Sequence, residues 1–252
     1  MKEDQLSRLL CPGLNIRVYT VLSTATVNEI NGLHGPGPLG AVILGRALTA
    51  TALLAATLKP DSAQSIRFQV RGDGSAGHIH IQGDARGNLR GYMGNPRVEI
   101  APVEGKIDMD AIIGRGNLSV SRDLGMKEPY TGILPLQSGD IAMETARYLT
   151  VSEQVPSALI LGMDFSDDGR LSASGGILIQ SFPDTPVEAL AIVEHHIAAA
   201  GRRLGEALKA GEDIVNYAGE LMGNHPLTPL FSTPLRAACR CSRDMIGEIL
   251  SG

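Results

Sequence analysis

The chain has 252 residues, of which 43% are hydrophobic, so it is long enough to bury a sizeable core and to form one large domain with an appendage. Its formal net charge of −5 and pI near 5.7, without any lysine- or arginine-rich block, give no electrostatic footprint for nucleic acid. Three cysteines are too few for a disulfide framework, and the first residues, MKEDQLSRLLCPG, lack an apolar signal core. We therefore expect a cytoplasmic protein that has neither nucleic acid nor a membrane as a partner.

The first elements predicted are a strand and two helices. Alternation in IRVYTV (16–21) predicts the strand, and STATVNEINGLHG predicts a short helix that Ser23 or Thr24 is placed to cap. The next segment, AVILGRALTATALLAATL (41–58), is about as long as a bilayer span requires. Arg46 lies inside it, and a charge well within a span costs roughly 2.5–3.5 kcal/mol on insertion scales. We therefore predict a helix that the core buries on most sides.

Alternation continues through the middle of the chain. SIRFQV (65–70) and HIHIQGD (78–84), separated by the turn-rich RGDGSAG, predict a β-hairpin. GNLRGYMGNP predicts another strand, IDMDAIIG a short helix, and NLSVSRDL and YTGILPLQ two further strands. SGDIAMETARYLTVSEQV is typical of an amphipathic helix capped by Ser138 or Asp140, and LILGMDF and LSASGGILIQSF predict the last two strands.

The pattern changes after Phe182. VEALAIVEHHIAAAGRRLGEALKAGEDIVNYAGELMG predicts two or three short helices divided at Gly201 and Gly211, and the turn-rich NHPLTPLFSTPLR connects them to the C-terminal residues. Strands mixed with helices, without regular alternation of the two, favour an α+β fold class. We predict an α+β core domain over residues 1–182 and a small helical linker subdomain over residues 183–233.

Sequence motifs for catalysis are absent. Gly72, Gly74 and Gly77 match the dinucleotide pattern G-x-G-x-x-G, but a strand follows them where that pattern must open a helix, so they predict a hairpin loop. The patterns G-x-S-x-G, H-E-x-x-H and the P-loop do not occur. We therefore predict that the protein is not an enzyme and has no catalytic residue.

Two histidine pairs are weak candidates for metal binding. His78 and His80 lie two apart on a predicted strand and share one face, but no third ligand is identifiable. His195 and His196 are adjacent on a helix and face different ways. Solvated histidines are the better interpretation of both pairs.

The cysteines are unevenly placed. Cys11 has no identifiable histidine partner and is predicted to be a buried or incidental thiol. Cys239 and Cys241 form a C-x-C pair flanked by arginines, whose charge favours the thiolate. Closely spaced thiolates suit a soft metal such as zinc, but a closed zinc site needs four ligands and this pair supplies two. On these residues alone, metal binding, redox chemistry and neither role all stay open.

The C-terminal segment CRCSRDMIGEIL resembles the start of the zinc-binding domain in the heat shock protein 33 family of redox-regulated holdase chaperones. Further stretches resemble the same family in the same order: LGRALTATALLAATLK, VRGDGSAGHI, GYMGNPRVE, LSVSRDLGMKEPYTGILPL, YLTVSEQVPSALILG and ASGGILIQSFP. The resemblance covers residues 18–250. Its most specific elements are YLTVSEQVPS, GNLRGYMGNP and the C-x-C-S-R motif.

The resemblance implies an ATP-independent chaperone of the bacterial cytosol, a homodimer that binds unfolding client proteins and prevents their aggregation under oxidative or heat stress. In the family, a C-x-C and a later C-x-x-C hold zinc in the reduced, inactive form. Oxidants convert the four cysteines to two disulfides, zinc leaves, and the zinc domain and adjacent linker unfold to expose apolar surface. Cys239 and Cys241 match the first pair, which makes them the redox-active residues and two of the four expected zinc ligands.

The second cysteine pair has no match in the 252 residues. The resemblance therefore makes residues 234–252 a truncated start of the redox-switch domain, and two explanations stay open: a shortened sequence, or a protein that has lost the pair. Two ligands bind zinc weakly, and a disulfide across one intervening residue closes a strained ring. We hypothesise that this form cannot run the full zinc switch and exposes its client surface constitutively or under different control.

Two other function classes remain. The core is alternatively a small-molecule enzyme that uses the glycine-rich loops around Gly72 and Gly114. The chain is alternatively a dimeric interaction module without chaperone activity.

Overall fold

Two sheets share one long apolar helix between them. The computed structural model describes residues 3–101, 107–167 and 169–238. The helices are α1 (Thr24–His34), α2 (Pro38–Ala55), α3 (Met109–Ile113), α4 (Ile141–Val151), α5 (Val187–Ala199), α6 (Leu204–Lys209) and α7 (Ile214–Leu221). The strands are β1 (Gln5–Cys11), β2 (Ile16–Leu22), β3 (Ser65–Gly72), β4 (His78–Asp84), β5 (Asn88–Met93), β6 (Gly116–Asp123), β7 (Tyr130–Pro135), β8 (Ser157–Phe165), β9 (Leu171–Ser181), β10 (Thr228–Pro234) and β11 (Arg236–Ala237). This mixture confirms the predicted α+β class.

The strands pair into a five-stranded and a six-stranded sheet. The five-stranded sheet has the order β10-β1-β2-β9-β8 and is antiparallel throughout. The six-stranded sheet has the order β11-β5-β4-β3-β6-β7, and only its two-residue edge strand β11 pairs in parallel. The predicted hairpin is confirmed, with Phe68 opposite Ile81 in β3 and β4.

Helix α2 forms the centre of the main core. It contacts β3, β4 and β5 of the six-stranded sheet and β2, β8 and β9 of the five-stranded sheet. A helix that is apolar on all sides is stable in water only when it is buried on all sides. By length and a mean hydropathy of 1.6 it passes for a membrane span, yet 72% of it is buried within the protein, which agrees with the predicted core helix. The side chain of Arg46 extends out of this core, and its guanidinium group lies 3.0 Å from the Asp140 carboxylate.

The caps of α4 and α1 differ from each other. Asp140 caps α4, since its Oδ1 accepts hydrogen bonds from the N–H groups of Ala142 (2.7 Å) and Met143 (3.2 Å). The N-cap position of α1 is Ser23, but its side chain does not cap the helix, so that prediction was wrong. The buried Ser23 hydroxyl instead lies 2.9 Å from both Thr49 Oγ1 and Ser174 Oγ, joining α1 to α2 and β9.

The residue before β1 supplies an acceptor for a free N–H group of α1. Asp4 Oδ2 accepts from Thr26 N at 2.6 Å, so a carboxylate distant from the helix in sequence does the work of an N-cap. Burial raises the pKa of Asp4, while these backbone hydrogen bonds oppose the rise. The main-chain oxygen of Asp4 also accepts from Leu235 N at 2.9 Å. One residue therefore fixes the start of β1, the start of α1 and the end of β10.

The prediction of a turn-rich connection over residues 224–236 was wrong, because β10 forms there. Prolines Pro229 and Pro234 obscured the strand, yet β10 is an edge strand, where a missing backbone N–H is tolerated. The strand β1 was not predicted either, and it pairs with β10 across almost the whole chain. The predicted division at residues 182 and 233 stays a prediction; α5, α6 and α7 pack on the five-stranded sheet.

The capping role of Asp4 predicts a loss of stability on truncation. Asp4→Ala should lower the free energy of unfolding by about 1–2 kcal/mol, the usual effect of losing a cap. The measurement is chemical denaturation, with Glu3→Ala, an exposed neighbouring carboxylate, as the matched control. Equal effects of the two substitutions would contradict the role.

Candidate functional site

The predicted site residues Cys239 and Cys241 lie outside the described residues, so their geometry is not part of the structure. The described chain reaches Ala238, whose N–H donates to Leu89 O at 2.9 Å. This contact continues the short pairing of β11 with β5 at the edge of the six-stranded sheet. In the sequence, one residue separates the C-x-C pair from Ala237, the end of this two-residue strand.

The five-stranded sheet is apolar on both faces. Tyr19 and Val21 of β2 point into the main core around α2, whereas Ile16 and Val18 point to the other side. We call this other side the outer sheet face, and its buried residues are Leu9, Cys11, Ile16, Val18, Ile177 and Ile179. Because both faces are apolar, each needs its own cover.

Helices α5, α6 and α7 cover the outer sheet face, and together we call them the helical cover. Their buried side chains are Ala189, Val193, Leu204, Ala207, Ile214, Tyr217, Ala218 and Leu221. These residues and the outer sheet face form a hydrophobic cluster separate from the main core. The cover and the sheet face beneath it therefore form a second core, apart from the one around α2.

Helix α6 approaches β8 backbone to backbone. A Cβ atom on Gly162 would lie 2.5 Å from Gly205 N, and one on Gly205 would lie 2.3 Å from Met163 O. Only glycine fits at either position. The pair of glycines fixes where α6 rests on the edge strand.

Polar contacts at the rim hold the helical cover in place. Arg202 Nη2 bonds to Glu212 Oε1 (2.7 Å) and Glu220 Oε1 (3.1 Å), and Arg202 O accepts from the Tyr217 hydroxyl (2.9 Å). These contacts join the loop after α5 to both ends of α7. All three charged groups are accessible to solvent, so the ion pairs are weak ones.

A second rim contact joins α6 to β8. Lys209 Nζ lies 2.7 Å from Asp164 Oδ1 and 2.7 Å from Phe165 O. The Lys209 ammonium group lowers the pKa of Asp164 by donating a hydrogen bond to it. The folded-state pKa is thus below the unfolded one, so this stabilisation is present at neutral pH and is lost as the pH falls through the folded-state value.

A cleft that is open to solvent lies where the edge of the cover meets β8 and α2. Its volume is about 430 Å³, and its wall includes Ile160, Met163, Ile197 and Leu204. The cover is therefore not closely packed against its neighbours at this edge.

Cys11 lies beneath the cover with no exposed surface. It packs with the outer sheet face and the cover, and burial raises the pKa of its thiol. The sequence prediction of a buried thiol is confirmed. Such a thiol reacts only when the cover opens, since attack requires an accessible thiolate.

The glycine-rich loops meet in space. A Cβ on Gly72 would lie 1.8 Å from Ile113 O, so the loop packs against the backbone at the end of α3. Asp73 Oδ1 accepts from Arg115 N at 2.6 Å and ties the same two loops together. Close backbone packing accounts for these glycines, and a small-molecule site there stays a hypothesis.

The histidine pairs have ring contacts. His78 and His80 lie on one face of β4 with Tyr92 between them in neighbouring β5, as their spacing predicts. The rings of His195 and His196 pack edge to face, with centroids 5.3 Å apart. Within residues 3–101, 107–167 and 169–238, no three His, Cys, Asp or Glu side chains are grouped to hold a metal ion.

Sequence reasoning identified the helices of the cover but not the face beneath them. The available signal was β9, whose run LSASGGILIQS is buried over nearly its whole length. A strand that is apolar without alternation is covered on both faces. The strand predicted at 16–21 is confirmed as β2, whereas β1 was not predicted. The pairing of β2 with β9 depends on long-range register, which local periodicity does not give.

Comparison with known proteins agrees with the architecture. The family model described as Hsp33 protein matches residues 4–252. The 33 kDa chaperonin of Desulforamulus reducens is 36% identical over 251 residues, covering 99% of this chain and 84% of the relative. The 33 kDa chaperonin of Syntrophotalea carbinolica is 37% identical over 245 residues, covering 97% and 84%.

A solved structure matches over almost the whole chain. The crystal structure of the 33 kDa chaperonin (heat shock protein 33 homolog) from Thermotoga maritima gives a TM-score of 0.88 at 27% identity, covering 99% of this chain and 84% of that one. The expected resemblance is thus confirmed in both sequence and fold. The chain, with its doubly covered five-stranded sheet, belongs to the Hsp33 family of chaperones.

Proposed function

We propose that the chain is an ATP-independent holdase: it binds unfolding proteins on the outer sheet face after the helical cover undocks, and so prevents their aggregation. The observation that carries this proposal is the separate hydrophobic cluster between cover and sheet. A client that replaces the cover removes apolar surface from water, at roughly 25 cal/mol per Å². No catalytic residue takes part in such binding.

The lengths of the helices support a reversible cover. Helix α6 has 6 residues and α7 has 8, and isolated helices this short are not stable in water. Their structure therefore depends on the sheet beneath them. Once undocked, the segment unfolds and gains chain entropy, which lowers the cost of exposing the sheet.

We assign the redox role to Cys239 and Cys241, as the family resemblance implies. In this proposal they provide two thiolate ligands to zinc, whose bound form supplies a crosslink that stabilises the segment around it. They follow β11 in the sequence after one intervening residue. A two-residue strand is a weak anchor, so in this proposal loss of the zinc crosslink also frees β11 from β5. We place the protein in the bacterial cytosol and expect a homodimer.

The proposal is tested on a polypeptide of these 252 residues, which holds two of the four thiols that the family resemblance implies. For that polypeptide we propose client binding that does not depend on a four-cysteine switch. Light scattering of a chemically unfolded client should be suppressed both after full reduction and after peroxide treatment. The double variant Cys239→Ser/Cys241→Ser should behave in the same way. Suppression only after oxidation would contradict undocking of the cover without oxidation, and no suppression in either state would contradict the holdase.

The rim contacts predict that loosening the cover increases activity. In the Cys239→Ser/Cys241→Ser background Cys11 is the only thiol, and its labelling rate reports opening of the cover. Adding Arg202→Gln and Lys209→Gln should raise that rate a few-fold, the scale of exposed ion pairs, and strengthen suppression of aggregation.

The matched control for this test is Lys59→Gln with Arg97→Gln, two exposed cations outside the cover. It should change neither the labelling rate of Cys11 nor the suppression of aggregation. Faster labelling without stronger suppression would show that clients bind elsewhere.

A further inference from the structure

The solvent-facing side of the six-stranded sheet carries a patch that the holdase proposal does not use. We call it the basic face, and its residues are Arg67, Arg71, His78, His80, Arg90 and Tyr92. The register places them together: β3, β4 and β5 are neighbours, with His80 opposite Tyr92. The alternate residues of these strands point the other way, into the core around α2.

The charge of the basic face is of one sign. Arg67 and Arg71 are exposed, and neither has a carboxylate within ion-pair distance in the described parts of the chain. Arg90 bonds to the neutral amide oxygen of Gln82 (2.6 and 3.1 Å). The acidic residues that give the protein its net charge of −5 therefore lie elsewhere. The expectation of no nucleic-acid partner rested on that net charge, which does not describe the charge of this face.

Within β3, β4, β5 and the neighbouring β6, carboxylates occur only at strand ends, as Asp84 of β4 and Asp123 of β6. Asp84 accepts hydrogen bonds from Arg86 N and Asn88 N, and Asp123 accepts from Gly125 N. Burial, and after it the charges of Arg67, His78, Arg90 and Arg71, lower the pKa of His80. The middle of the basic face is thus a region of positive potential.

An aromatic group lies in the same region. The Tyr92 ring stacks on His80, with centroids 5.7 Å apart and planes 15° apart, and meets His78 edge to face at 5.5 Å. His80 Nδ1 is in turn 2.6 Å from Gln69 Nε2. Tyr92 is held in place by these contacts, yet 44% of it is exposed.

Arginines around a fixed, exposed aromatic ring on an open sheet match the chemistry of single-stranded nucleic acid. Its phosphates pair with guanidinium groups, and its unstacked bases lie on aromatic rings. Arg67 and Arg71 are four residues apart along β3, about 13 Å, so they contact different phosphates of an extended strand. An acidic polypeptide would use the arginines but not the ring.

We propose that the basic face binds single-stranded RNA without sequence preference, through phosphate contacts to its arginines and base stacking on Tyr92. This function is independent of the helical cover, which lies on the five-stranded sheet. The affinity for RNA falls as the salt concentration rises, because each phosphate that an arginine neutralises releases counterions.

The test is fluorescence anisotropy of a labelled oligouridylate of about twelve nucleotides, titrated with the reduced 252-residue protein between about 50 and 200 mM salt. Arg67→Gln/Arg71→Gln/Arg90→Gln should weaken binding at least tenfold. It should also reduce the logarithmic salt slope by about two units, at roughly 0.7 per phosphate contact. Tyr92→Leu should weaken binding about fivefold or more with little change in that slope.

The matched control is Lys59→Gln/Arg97→Gln/Lys127→Gln, which removes the same charge from exposed positions outside the basic face. It should leave the affinity nearly unchanged, and circular dichroism should show that each variant is folded. Absence of binding at low salt, or equal losses in the two triple variants, would overturn the proposal. So would displacement of the RNA by polyglutamate together with no effect of Tyr92→Leu, since the face would then bind acidic polypeptide.

Discussion

The five-stranded sheet is apolar on both faces, and both faces must be kept from water for the chain to fold. The structure meets this requirement in two different ways. One face rests on α2, a helix of 18 residues buried between two sheets. The other rests under three shorter helices joined by loops and held at the rim by solvent-accessible ion pairs. This difference in the two covers is the physical basis of the function that we propose.

The two hydrophobic clusters are separate, and the mechanism that we propose depends on this separation. In that mechanism, undocking of the helical cover exposes the outer sheet face and leaves Ile43, Leu48 and their neighbours on α2 in place. The backbone hydrogen bonds between β1, β2 and β9 do not involve the cover. The proposed exchange of cover for client therefore requires no change in strand order.

Local periodicity was enough to predict much of the fold from the sequence. Alternation located the β3–β4 hairpin, and the apolar segment around Arg46 located α2. Long-range contacts were not predictable: β1 and β10 meet across 225 positions at Ser7 and Ser232. The cap of α1 was missed for the same reason, since Asp4, the residue before β1, lies 22 positions from the Thr26 N–H group that donates to it.

In the candidate site, too, local sequence motifs were predictable and features that depend on strand pairing were not. The C-x-C motif singled out Cys239 and Cys241 by their spacing, whereas the outer sheet face depends on which strands pair. The basic face was hidden because His78 and His80 are informative only once β5 brings Tyr92 and Arg90 beside them. Composition gave the net charge of the chain but not where each charge lies.

The exchange of cover for client is the central claim, and amide hydrogen exchange tests it most directly. The protein is measured alone and with a bound unfolded client, and peptides from α5–α7 are compared with peptides from α2. We predict that client binding accelerates exchange across α5–α7 and leaves α2 protected. Full protection of α5–α7 in the client-bound protein would contradict the account.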